Sequence, residues 1–136
     1  MVIMEIQNVF KEAEEINVYN DGVKVTYSAG GEDYKKILDC WNNAIEGSHQ
    51  MPAFGVSLDR QTKEALNSGL WVEFCFAHQM QRSDMPFEKL LVNVNKGTYG
   101  FNIIRYTATR GYDGRCYYLD LVGKNLDGFY DLLLNL

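Results

Sequence analysis

Gly97-Thr-Tyr-Gly-Phe-Asn-Ile-Ile-Arg-Tyr-Thr-Ala-Thr-Arg-Gly-Tyr-Asp-Gly-Arg-Cys-Tyr-Tyr-Leu-Asp-Leu121 holds two runs of aromatic and β-branched residues on either side of a Gly-Tyr-Asp-Gly break. This is the composition of a β-hairpin and its turn. A two-residue loop at Tyr112 and Asp113 would set Arg105 opposite Asp120, whereas a loop at Asp113 and Gly114 would set Thr107 there. The two registers differ by an even shift, so both give the same faces. On that assignment Ile104, Tyr106 and Ala108 join Tyr117, Leu119 and Leu121 in the core. Ile103, Arg105, Thr107 and Thr109 share the other face with Cys116, Tyr118 and Asp120.

Working outward, Leu70 to Ala77 and Glu88 to Val94 read as two further strands, with no helical stripe between any of the four. Consecutive strands without crossover helices imply an antiparallel β-meander. Alternation places Leu70, Val72, Phe74, Phe76, Leu90, Val92 and Val94 in the core, and Trp71, Glu73, Cys75, Lys89, Leu91 and Asn93 on the mixed face. Upstream, apolar residues at 2, 3, 6, 9, 10, 13 and 16 suggest an amphipathic helix from Val2 to near Glu15. Ile16 to Tyr19 and Val23 to Tyr27 alternate around Asn20-Asp21-Gly22, a short hairpin. Tyr34, Ile37, Leu38, Trp41, Ala44 and Ile45 give the cleanest helical stripe, begun by acidic Glu32 and Asp33 and ended by Gly47. Asp59 is placed to cap a short helix through Leu66, and Leu126, Phe129, Tyr130 and Leu133 mark a closing helix after Asn125. The expected fold is α+β: residues 1–136 as a single domain, an antiparallel β-meander of four to six strands with helices packed on one face.

The 136 residues are 46% hydrophobic and 23% charged, the composition of a soluble globular chain, and no apolar run reaches the length of a membrane span. The N-terminus lacks the basic region and cleavage site of a secretory signal, so a cytoplasmic location is expected. Three cysteines, Cys40, Cys75 and Cys116, are widely spaced without a Cys-x-x-Cys or a neighbouring histidine, which reads as free thiols rather than a metal site. No cofactor is expected. The formal net charge of −5 disfavours a polyanionic partner such as nucleic acid.

No phosphate-binding glycine loop, zincin helix or nucleophile elbow occurs. Cys75 and His78 would point to opposite faces of a regular strand, so a dyad between them would need a bulge. The catalytic residues, if the chain is an enzyme, are therefore unknown. What stands out is the mixed face, where Trp71, Glu73, Arg105, Thr107, Tyr118 and Asp120 would set aromatic rings beside fixed charges, the chemistry of a ligand- or partner-binding surface. Three readings follow. The first is a non-catalytic protein-interaction domain, self-associating through this face. The second is a small-molecule site with Glu73 and Asp120 as acid or base and Arg105 clamping an anion. The third is single-stranded nucleic-acid binding by Arg105, Arg110 and Arg115 interleaved with Tyr106, Tyr112, Tyr117 and Tyr118.

Overall fold

The computed structural model describes residues 8–51, 56–82 and 85–136. A 3-10 turn at Phe10–Glu12 leads into strands β1 (Glu15–Asn20) and β2 (Val23–Ser28), then helix α1 (Glu32–Ile45). Short strands β3 (His49–Met51) and β4 (Val56–Ser57) and helix α2 (Asp59–Ala65) follow. The second half is β5 (Leu70–Arg82), β6 (Met85–Val94), β7 (Gly100–Tyr106), β8 (Gly114–Asp120) and helix α3 (Asp127–Leu134). All pairings are antiparallel, in the order β2-β1-β5-β6-β7-β8-β3, with β4 on the start of β8. The α+β class with an antiparallel sheet is the expected one. The strand count is higher than four to six because the first hairpin joins the meander through β5 and β3 lengthens the far edge.

The first hairpin turns as its Asp-Gly requires. Asn20 pairs with Val23 across a two-residue loop, and Asp21 and Gly22 take φ of 49° and 88°, the left-handed pair that matches the twist of the strands. The helix expected from Val2 to Glu15 is corrected over its described part: residues 8–14 hold only the 3-10 turn, and Glu15 already begins β1. Residues 2–7 of that expectation lie outside the described residues. The misleading spacing comes from Val9, Phe10 and Ala13, buried as a plug in the core, and from Ile16, which points inward from a strand.

Helices α1 and α3 cover one face. Tyr34, Ile37, Trp41 and Ile45 are the buried line of α1, and Gly47 ends it at φ 76°. Trp41, fully buried, sits in an aromatic box with Phe10, Phe74 and Phe129, each at 5.1 Å between ring centroids for Phe10, Phe74 and Phe129. Full burial of each large apolar side chain contributes about 1.5–3 kcal/mol before entropy is charged against it.

The central hairpin departs from both anticipated registers. Phe101 faces Leu119 and Ile103 faces Tyr117, an odd offset from either, which turns β7 over. Phe101, Ile103 and Arg105 therefore lie on the helix-covered face, and Ile104 and Tyr106 on the opposite one, the reverse of the expected assignment. The reason lies in the turn. The chain reverses at residues 108–110, inside a bridge between Thr107 and Gly111 closed by two backbone hydrogen bonds of 3.1 and 2.7 Å. Tyr112 and Asp113 then bulge out before β8 starts at Gly114. Arg105 does not face Asp120, which pairs instead with Gly100.

Candidate functional site

The second face of the sheet is where the sequence placed a binding surface, and much of it is covered. Leu66, at the end of α2, packs with Trp71, Leu91 and Tyr112 into a small apolar cluster, bordered by Tyr19, Ile104 and Tyr106. Trp71 is 8% exposed and its indole N–H donates to the Ser68 carbonyl at 2.9 Å. Tyr112 reaches this cluster because the bulge turns its ring inward. Its N–H is held by the Asp59 carboxylate at 2.9 Å, and the Ser57 hydroxyl donates to its carbonyl. That hydrogen bond to Tyr112, followed by Lys63 at 3.0 Å, holds the Asp59 carboxyl below the usual carboxylate range.

Beneath the cluster lies Glu73, completely buried. The Tyr112 hydroxyl donates to its Oε2, and the Asn17 amide donates to Oε1 at 3.0 Å. The Tyr19 hydroxyl approaches the same oxygen at 3.4 Å, and the Lys89 ammonium stands 3.9 Å away. Lys89 also lies 4.9 Å from the centroid of the Tyr106 ring. Asn17 accepts in turn from the Thr26 hydroxyl at 2.7 Å, so one hydrogen-bonded chain crosses β2, β1 and β5 to the bulge. A buried carboxylate is tolerated only when its lone pairs are met and a countercharge is near, and here both hold. Burial, then the Glu73 charge and the hydrogen bond to it, push the Tyr112 and Tyr19 hydroxyls well above the ordinary phenol range. Burial first and the Glu73 charge second push the Cys75 thiol up to about 12. Cys75 is therefore a thiol at neutral pH and no nucleophile.

The six residues expected to share a site are dispersed. Trp71 and Glu73 belong to the covered cluster. Arg105 lies on the other face, 8% exposed, donating to the Pro86 carbonyl at 2.9 Å and lying against Gly114, where any side chain would collide with it. Thr107 is buried at the bridge and accepts from the Arg110 N–H at 3.3 Å. Tyr118 lays its hydroxyl over Gly100. Asp120 accepts from the Val122 N–H at 2.9 Å, organising the turn after β8. Glu73 and Asp120 stand three strands and four residues apart in register, about 20 Å by strand geometry. They cannot act on one small molecule. The arginine and tyrosine hairpin offers no shared basic face either: Arg105, Tyr112 and Tyr117 are buried, and the exposed Arg110 is paired to Asp113 at 3.6 Å. A bulge does fall between Cys75 and Met80, yet Cys75 accepts from Asn17 at 3.4 Å while His78 is exposed.

Sequence reasoning missed the partners of Glu73, namely Asn17, Tyr19 and Tyr112, since Asn17 and Tyr19 sit on a strand whose neighbour was unknown. It also missed the open edge. Beyond β1, β2 has no further strand beside it among the described residues. Val23 and Val25 are 66% and 46% exposed there. With Tyr27, Leu133, Leu134 and Leu136 they line an apolar groove of about 360 Å³ between the edge strand and the end of α3. Among the described residues no group of His, Cys, Asp or Glu is placed to hold a metal ion, and no helix is long and apolar enough to cross a membrane. Comparisons with known protein families, with curated proteins and with solved structures find no match to this chain.

Proposed function

We propose that the chain is a protein-interaction domain that takes a partner strand on the open edge of β2. The observation that carries this reading is the edge itself. The two-residue hairpin loop makes Asn20 and Val23 a hydrogen-bonded pair, and alternation makes Val25 and Tyr27 inward-bonded as well. The bond from Ala29 N–H to the Glu14 carbonyl, 2.9 Å, keeps the same phase. It follows that Lys24 and Thr26 direct both their N–H and C=O groups away from the sheet, and Ser28 its N–H, the Ser28 carbonyl being taken by the Gly31 N–H at 3.2 Å. A partner strand adds main-chain hydrogen bonds to that row and covers Val23 and Val25, which is recognition by strand addition. Lys24 is the only charge on the strand, and no proline or bulge blunts it. The free thiols of Cys40 and Cys75 support a reducing, cytoplasmic setting for the encounter.

A photo-reactive amino acid at Val23, activated in the cell that makes the protein, should yield a discrete covalent adduct that Thr26→Pro abolishes. Proline there removes an outward N–H and leaves the backbone ladder to β1 in place, while Thr26→Val, which shares the loss of the hydroxyl bond to Asn17 but keeps the N–H, should retain the adduct. An adduct that survives Thr26→Pro, or none in either protein, would overturn the reading.

A further inference from the structure

We infer that the strand received by the β2 edge is β2 of a second copy, antiparallel, with Thr26 on the two-fold axis. This rests on the strand-addition reading above and adds the identity of the partner. Several antiparallel registers could pair outward-directed residues among themselves. Only the one centred on Thr26 uses all of them, setting Lys24 against the partner's Ser28, Thr26 against the partner's Thr26 and Ser28 against the partner's Lys24, about four hydrogen bonds once the Ser28 carbonyls held by Gly31 are left out. Centring one residue earlier or later leaves Ser28 or Lys24 outside the paired set.

The side chains agree with that register on both faces. On the face carrying the apolar groove, Val25 meets the partner's Tyr27 twice over by symmetry, a β-branched and aromatic pair of the kind that stabilises adjacent strands. The exposed Val23 and Val25, with Leu134 and Leu136 at 46% and 39% exposure, lie along the groove that the partner's Tyr27 approaches. On the opposite face Thr26 meets its own copy, and Lys24 lies across the small partner's Ser28. Within one chain Ser28 pairs with Glu15 of β1, so the next carboxylate in Lys24's row is the partner's Glu15. Glu15 and Lys24 are both exposed. The strand thus carries its own complementary charge, one lysine at one end and one glutamate beside the other, and the two-fold axis brings each to the other without setting like charges opposite. Among the described residues the other edge of the sheet offers no equivalent: β3 has three residues, and joining β2 to it would propagate copies rather than close a pair.

The test is sedimentation of the full chain over a concentration series at low salt, with a charge exchange across the axis. The wild type should sediment as a dimer. Lys24→Glu or Glu15→Lys alone should each weaken association about tenfold by setting like charges across the axis, and the double variant Lys24→Glu with Glu15→Lys should recover most of the loss. Thr26→Pro should be monomeric, whereas Thr26→Val, which keeps the N–H, should dimerise. Far-UV circular dichroism of every variant must match the wild type; Thr26→Pro and Thr26→Val both lose the hydroxyl bond to Asn17, so the difference between those two isolates the outward N–H. A wild type that stays monomeric, or single and double charge variants that behave alike, overturns the inference. The Val23 photo-adduct separates this from the wider reading: an adduct with a different protein leaves strand addition standing and removes self-pairing, while no adduct together with a monomer removes both.

Discussion

Glu73 is the residue on which the second face turns. A carboxylate with no exposure survives because Tyr112, Asn17 and Tyr19 donate to it and Lys89 stands beside it. Tyr112→Phe keeps the ring but leaves Oε2 without its donor, which should cost about 1.5–3 kcal/mol in urea unfolding at neutral pH. The pH dependence carries a second signature. The Tyr112 phenol lies above its ordinary 10.0 in the folded protein, so the unfolded chain gives up this proton first. Stability from this group is whole below pH 10 and is lost as pH rises beyond it toward the folded value. The wild type should therefore lose stability above pH 10 more steeply than Tyr112→Phe, a difference that leaves the lysines and other tyrosines common to both. Equal slopes would show that burial and the neighbouring Glu73 charge do not hold Tyr112 neutral.

At the level of elements, the β7–β8 hairpin shows what a sequence discloses and what it conceals. Its strands, their pairing and the inward set of β8 were legible, as were α1, α3 and the first hairpin, because periodicity and turn chemistry are local signals. The register was not. Gly111-Tyr-Asp-Gly114 looks like a turn, but the reversal belongs to the three residues before it, and the count of bulged residues depends on a contact with α2 more than 50 residues away in sequence. One signal was available: Asn102 separates Phe101 from Ile103, which fits those two facing inward. The composition of the mixed face was read correctly for β5 and β6, yet its covering by α2 and Tyr112 was beyond local pattern. Gly111 is the hinge of that arrangement. It has φ 69°, and a Cβ on it would strike the Asp59 carboxylate that holds Tyr112. Gly111→Ala should cost about 2–4 kcal/mol, combining backbone strain with the lost tie. Gly97→Ala, at φ 74° with open space around it, should cost only about 1 kcal/mol. Urea midpoints of the two variants check the contrast, and equal losses would mean that the contact to Asp59 carries none of it.

Across the whole molecule, one sheet serves two unlike interiors. The larger is aromatic and aliphatic beneath α1 and α3, while the smaller is built around a carboxylate beneath α2. They are not independent, since β5 sends Val72 and Phe74 to one and Trp71 and Glu73 to the other in alternation. Each interior contains one of the chain's two tryptophans, Trp41 in the larger and Trp71 in the smaller. That distribution supplies a separate optical reporter for each side of the sheet. In Trp41→Phe the remaining emission comes from Trp71, and in Trp71→Phe from Trp41. A shared strand makes the two sides melt together, so in each variant the fluorescence and circular dichroism transitions should coincide. A Trp71 emission that shifts red before the ellipticity changes would instead show the carboxylate side opening first, with Tyr112 released from Glu73 while the aromatic side stays closed.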